Sequence, residues 1–170
     1  MKLKFIPREK VEELLKEFNI DDYPIPIVKI AENLGFIVVE SPFDDDESGL
    51  LYYDPNNSID KIILLNKDDI PTRKKFTIAH ELGHYLNEYK TGVIYAHRNS
   101  NSSDPYYESE INSFASELLM PTKILKNFLE KIDYKSKDFD FVASLISSAF
   151  LVSFSAAKVR LDKFLRGQHE

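Results

Sequence analysis

Two of the four histidines in this 170-residue chain lie only four positions apart, within the stretch from 76 to 89. There His80 and His84 enclose Glu81 in a His-Glu-Leu-Gly-His sequence. On a helix, positions i and i+4 are about 40° apart, so both imidazoles can converge on one ion. Glu81 lies on the same side, where a carboxylate can accept a proton from water at a metal. The spacing therefore predicts a helix with two metal ligands and a base.

The rest of this stretch favours a buried helix. Apolar residues recur at helical spacing on its opposite side, namely Ile78, Leu82, Tyr85, Leu86 and Tyr89. Ala79 and Gly83 leave room for close packing. By chance the motif occurs in roughly one chain in a few hundred of this length, so by itself it is only moderately specific. With this context, the helix of a zinc peptidase is favoured over two solvated surface histidines.

Composition limits the class of protein and the kind of metal site. With 43% hydrophobic and 29% charged residues, the chain is typical of one soluble domain. A net charge of −6 argues against a wide nucleic-acid footprint. No cysteine is present, so a zinc site has to use histidine and carboxylate. We find no signal peptide and no apolar run of membrane length, and therefore expect a cytoplasmic protein without a membrane partner.

Hydrophobic spacing divides the sequence into four consecutive parts of one metallopeptidase domain over residues 1–170. They are N-terminal helices in 1–35, strands in 36–67, the active-site helices in 71–132 and a C-terminal helical pair in 133–170. This order predicts an α+β fold.

The strand-forming part contains a predicted hairpin. Residues 48–53 and 59–66 read as strands joined by a turn rich in proline and asparagine. The apolar run 62–65 indicates an interior strand, whereas 49–53 is expected at an edge. An extended peptide substrate could then add to that edge.

The last two predicted helices, 138–149 and 154–166, are separated by a tight turn that is compatible with a helix-turn-helix motif. The second has a basic character from Lys158, Arg160, Lys163 and Arg166. Because the whole chain is acidic, we favour a packing pair with a solvated face, and direct nucleic-acid binding is not expected.

A catalytic zinc commonly takes three protein ligands, and the segment after the histidine helix is expected to supply the third. A helix is predicted there, capped by Asp104 and closed before Pro121. Its carboxylates are Glu108, Glu110 and Glu117. Glu110 and Glu117 share a face, whereas Glu108 is expected to point elsewhere. Spacing alone leaves the choice open.

A side chain that stabilises the oxyanion is also expected, with Tyr85, Tyr95, His97 and several other tyrosines as candidates among which the sequence does not choose. His97 begins a polar stretch, 97–104, that we predict to be a mobile loop. It could also ligate the metal, although a loop histidine without a spacing partner is more often solvated.

Taken together, two separated motifs resemble the ImmA/IrrE family of metallopeptidases. The first is FTIAHELGH at residues 76–84, and the second is EINSFASELLMP at 110–121. The resemblance implies a zincin-like fold, with a small, mainly antiparallel sheet packed on the histidine helix and an all-helical C-terminal part. The family usually has alanine where Ile111 and Ser116 stand, and these departures leave the ligands intact.

Carried over by motif position, the resemblance implies that His80 and His84 bind zinc, Glu81 is the catalytic carboxylate and Glu110 is the third ligand. It further implies an endopeptidase that cuts a helix-turn-helix transcriptional repressor at a specific site, as an anti-repressor or in a stress response. The alternative is a non-catalytic, zinc-containing regulator that binds a repressor or DNA. The presence of Glu81 favours the enzyme, because a binding module needs no base beside its ligands.

Overall fold

A computed structural model describes residues 8–43, 47–54, 61–88, 94–97 and 104–167. In chain order, its helices and strands are α1 (Arg8–Glu17), α2 (Ile27–Asn33), β1 (Phe36–Ser41), β2 (Gly49–Tyr53), β3 (Lys61–Asn66), α3 (Pro71–Glu88), β4 (Ile94–His97), α4 (Pro105–Leu119), α5 (Thr122–Lys131), α6 (Phe139–Phe150) and α7 (Phe154–Arg166), with a 3-10 turn at Tyr134–Ser136. The predicted α+β class is confirmed.

The four described strands form one mixed sheet in the order β1-β3-β2-β4. β1 runs parallel to β3, whereas β2 is antiparallel to both β3 and β4. The prediction of a small, mainly antiparallel sheet is thus confirmed, as are the β2–β3 hairpin and the interior position of β3.

The prediction that β2 lies at an edge is wrong. β4 pairs with it, so that Leu51 lies opposite Ala96 and Tyr53 opposite Ile94. Both sides of β2 are therefore occupied, and a substrate cannot add to it as a strand. His97 ends β4 instead of opening a loop, while residues 98–103 of the predicted mobile loop lie outside the described residues.

The helical segments follow the predicted pattern closely. Asp104 caps α4, since its side chain accepts a hydrogen bond from the Tyr106 amide. One hydrophobic core collects buried side chains from α1 through α7 and from the sheet. The assignment of residues 1–170 to a single domain stays a prediction.

None of the described helices is long and apolar enough by itself to cross a membrane. By length and composition alone, α6 and α7 would suffice together, but a bend of 114° separates them.

The sheet comes very close to α3 at Gly49. A Cβ atom added to Gly49 would lie 2.3 Å from Thr77 Cγ2 and 2.9 Å from the Leu64 carbonyl oxygen. Carbon atoms in contact are normally about 3.5 Å or more apart. β2 can thus approach α3 only because residue 49 has no side chain. Thr77 is one turn before Glu81, so this contact sets how deeply the histidine helix lies against the sheet.

We expect Gly49→Ala to lower the free energy of unfolding by roughly 2–3 kcal/mol, because the added methyl group forces β2 away from α3. Urea denaturation would measure the effect. Gly167→Ala is a matched control, since its added Cβ would meet its nearest neighbours at 3.5 and 3.9 Å. That control should stay within about 0.5 kcal/mol of wild type. Equal stability of the two variants would contradict the close approach at Gly49.

Candidate metal centre

α3 and α4 pack closely against each other at Gly83. A Cβ atom at this position would lie 3.0 Å from both Ile111 Cγ2 and Phe114 Cδ1. The missing side chain lets α4 approach α3 within one turn of both histidines. The room for close packing that the sequence indicated at Gly83 is thus filled by α4.

Three ligand-type side chains meet where these helices cross. His80, His84 and Glu108 each offer an atom within 4.8 Å of the other two. The two Nε2 atoms are 3.0 Å apart, Glu108 Oε2 lies 3.4 Å from His80 Nε2, and Glu108 Oε1 lies 3.6 Å from His84 Nε2. Both histidines are buried, whereas Glu108 is partly exposed. The cluster is thus open to solvent on the side of α4.

These separations suit a metal ion. Donors about 2.05 Å from a tetrahedral ion stand about 3.3 Å apart, which is close to the three observed distances. Two imidazoles and a carboxylate are also a donor set found in catalytic zinc sites, which keep a fourth position for water. The residues present therefore fit a divalent metal of the zinc type.

The outer nitrogens of both rings have partners on α4. His80 Nδ1 lies 3.0 Å from Asn112 Oδ1, and His84 Nδ1 lies 3.3 Å from the Tyr107 hydroxyl. The amide oxygen can only accept, so His80 Nδ1 carries the proton and its Nε2 lone pair faces the cluster. Such partners fix the tautomer and the ring orientation of metal-binding histidines. The sequence alone does not assign these partners, although Asn112 follows Glu108 by one helical turn.

Glu81 lies beside the cluster without belonging to it. Its side chain is only 1% exposed, and it directly follows His80 on α3. A buried carboxylate next to a metal site is placed to move protons and does not need to ligate the ion. The arrangement has the parts that water-mediated hydrolysis requires.

Glu110, which the resemblance implied as the third ligand, is not among the three clustered residues. It is half-buried, and its Oε2 atom is buried without a hydrogen-bond partner among the described residues. The structure therefore favours Glu108 over Glu110 as the third ligand, and the assignment of Glu110 stays a prediction. The physical reason lies in helix geometry: from Ile111 at the centre of the packed face, Glu108 is about 60° away and Glu110 about 100° away in the opposite direction.

Glu117, the other carboxylate considered, belongs to a different network. Arg160 on α7 is 3% exposed and lies 2.5 Å from Glu117 Oε2, while its Nε donates to the Met120 carbonyl. Thr122 donates to the same carboxylate from both its amide and its hydroxyl group. This buried network ties the end of α4 to α5 and α7. Removing one partner of such a pair is strongly destabilising.

Of the named candidates for stabilising the oxyanion, Tyr85 is the one whose side chain the structure describes. The Tyr85 hydroxyl accepts a hydrogen bond of 2.8 Å from Lys61 Nζ, and the Tyr85 ring packs edge-on against Phe36 and Tyr53. Tyr85 thus helps to hold Lys61 among aromatic rings. The side chains of Tyr95 and His97 lie outside the described part of the structure.

The start of α3 contains three consecutive basic residues, Arg73, Lys74 and Lys75, and each interacts with its immediate surroundings. Arg73 lies 3.3 Å from Asp69, and Lys74 lies 2.8 Å from Glu40. Partial burial lowers the pKa of Lys75, because it removes water from the ammonium group. Neighbouring carboxylates thus offset the charges of Arg73 and Lys74.

Comparison with known proteins gives three findings. The M78 peptidase family, described as an IrrE N-terminal-like domain, matches residues 31–162, a range that includes the sheet, α3 and α4. The chain is 25% identical over 118 residues to "Uncharacterized immunity region protein 2" of Bacillus phage phi105, covering 69% of this chain and 70% of that protein. The fold is similar to a Mycobacterium tuberculosis transcriptional regulator, with a TM-score of 0.60, 14% identity and 90% of this chain covered. This chain spans only 45% of that solved chain.

Proposed function

This chain belongs to the M78 peptidase family with an IrrE N-terminal-like domain, and from that premise we propose that it is a zinc-dependent endopeptidase. The single observation that carries the proposal is the cluster of His80, His84 and Glu108 with Glu81 buried beside it. A purely structural role would not require three ligand-type groups to face one point, with a further carboxylate at their side.

The residues take distinct roles in this proposal. His80, His84 and Glu108 would hold zinc, which supplies Lewis acidity that activates water and polarises a peptide carbonyl. Glu81 accepts a proton from the attacking water and passes it to the leaving nitrogen. Asn112 keeps His80 in the tautomer that ligation requires, and Asn112 and Tyr107 hold the orientation of the two imidazoles.

For the substrate, we propose a helix-turn-helix transcriptional repressor in the cytoplasm. The resemblance of the two sequence motifs implies this class of substrate. The name of the phage relative, an immunity region protein, and the regulator whose fold is similar both support a place in transcriptional control. The partly exposed Glu108 leaves the cluster accessible to a protein chain.

The test is cleavage of small helix-turn-helix proteins encoded beside this gene. Zinc-loaded protein should cut one of them at a single position, which mass spectrometry of the fragments would identify. A chelator should abolish cleavage, and added zinc should restore it, because the ligands alone lack the Lewis acid. Stable binding of the repressor without fragments would instead support the non-catalytic regulator.

A further inference from the structure

A groove of about 860 Å³ leads away from the candidate metal centre. Its walls come from the start of α3, from α4 and from α7, and they include Glu108 and Asn112. Because Glu108 belongs to the cluster and also lines the groove, a chain bound at the cluster would continue into this space. A cavity of this volume can hold several residues of peptide.

The groove wall combines hydroxyl groups with an apolar rim. Five serines line it, namely Ser109, Ser113, Ser116, Ser153 and Ser155. Ile70, just before α3, and Val159, on α7, also line the groove and are 64% and 68% exposed, respectively. Hydroxyl groups can donate to or accept from a peptide backbone, and the apolar rim can cover its side chains. This lining suits an extended polypeptide.

Two of the three basic residues that line the groove form ion pairs with carboxylates of the protein itself. Arg160 is buried against Glu117, and Arg73 lies 3.3 Å from Asp69. Lys163 is exposed, and its polar contact in the described structure is the Ser113 hydroxyl at 3.3 Å. Within the described ranges Lys163 has no carboxylate partner, so it is the groove cation that can pair with a bound ligand.

We propose that this groove binds the substrate chain on one side of the scissile bond, and that Lys163 selects an acidic side chain there. The inference rests on the proposed function, because it takes the cluster as the point of cleavage. Lys163 contacts Ser113, which is five residues along α4 from Glu108, or about 7.5 Å along the helix axis. An extended chain advances about 3.3 Å per residue, so the acidic side chain lies roughly two or three residues from the cleaved bond.

Charge also favours this occupant. The chain as a whole carries a net charge of −6, so its overall field repels acidic peptides. Lys163 is an exposed positive charge in the groove and gives an acidic side chain a local partner there. Charge pairs of this kind contribute mainly to specificity and to the register of binding.

The experiment measures peptide binding without cleavage. The zinc-loaded Glu81→Gln protein is titrated by NMR with twelve-residue peptides whose single charged side chain is a glutamate, and with a matching series in which it is a lysine. We expect the best glutamate peptide to bind roughly fivefold more tightly than its lysine counterpart. Adding Lys163→Glu should invert this preference, and adding Lys163→Gln should remove it. An unchanged preference in Lys163→Glu would overturn the proposal.

Arg166→Glu provides the matched control. Arg166 lies on the same helix, is 79% exposed and is paired with Asp162 outside the groove. The Arg166→Glu substitution makes the same change of charge as Lys163→Glu and should leave the peptide preference as it is.

Active protein is then given the same peptides, and the position of the acid relative to any cut tests the two-to-three-residue spacing. If nothing is cut while the inverted preference is still observed, the peptidase proposal fails and the acid-selecting groove remains.

Discussion

Replacement of Glu81 by glutamine is expected to abolish repressor cleavage while zinc remains bound. Glutamine keeps the size of this buried side chain but cannot accept a proton from water. Loss of a general base typically costs 10²- to 10⁴-fold in rate, and we expect roughly 10³-fold here. Single-turnover cleavage assays would measure the rate, and metal analysis of the same sample would report the zinc content.

Glu110→Gln is the matched control for this experiment. It makes the same chemical change at a half-buried glutamate of α4 that lies outside the cluster. Its cleavage rate should remain within about threefold of wild type, because residues remote from the reacting groups contribute little to the barrier. Equal cleavage by wild type and Glu81→Gln would remove Glu81 from the mechanism.

Most helices could be predicted from local signals in the sequence. The apolar spacing of α3, the Asp104 cap of α4 and the break between α6 and α7 each depend on residues within one or two turns. The hairpin of β2 and β3 is equally local, because its strands are close neighbours in the sequence. Local patterns therefore gave the order of the elements and the fold class.

The edge of the sheet could not be predicted in the same way. β2 pairs with β4, which lies beyond the whole of α3, so the pairing joins segments more than 40 residues apart, such as Leu51 and Ala96. The four residues of β4 are too few to give a clear alternation of polar and apolar positions. Strand order depends on such distant contacts, which one sequence does not reveal.

The hydrogen-bond partners of His80 and His84 could not be predicted from the sequence alone. Asn112 and Tyr107 reach the two rings because α4 approaches α3 at Gly83. The helix spacing places Glu108 and Asn112 on one face, one turn apart, and this pairing could have been noticed from the sequence. The angle at which the helices meet, however, is set by their packed side chains.

The second large effect is expected for the third metal ligand, for which Glu108 and Glu110 are the two candidates. We expect Glu108→Ala to lower zinc affinity at least 100-fold, because it removes one of three ligands and leaves two imidazoles. The loss should exceed the 10- to 100-fold that removal of a partner of a ligand typically causes. Competition with a chromophoric chelator would measure the affinity, and cleavage should fall in parallel.

Glu110→Ala separates this assignment from the one that the sequence motif implied. Glu110 lies about 160° around α4 from Glu108, so its loss should leave all three ligands in place. We therefore expect zinc affinity within about threefold of wild type. If Glu110→Ala lost zinc and Glu108→Ala kept it, the arrangement of α4 against α3 would be wrong and the motif-based assignment right. Loss of zinc in both variants would mean that the two carboxylates support the site jointly, one at the metal and one through the position of α4.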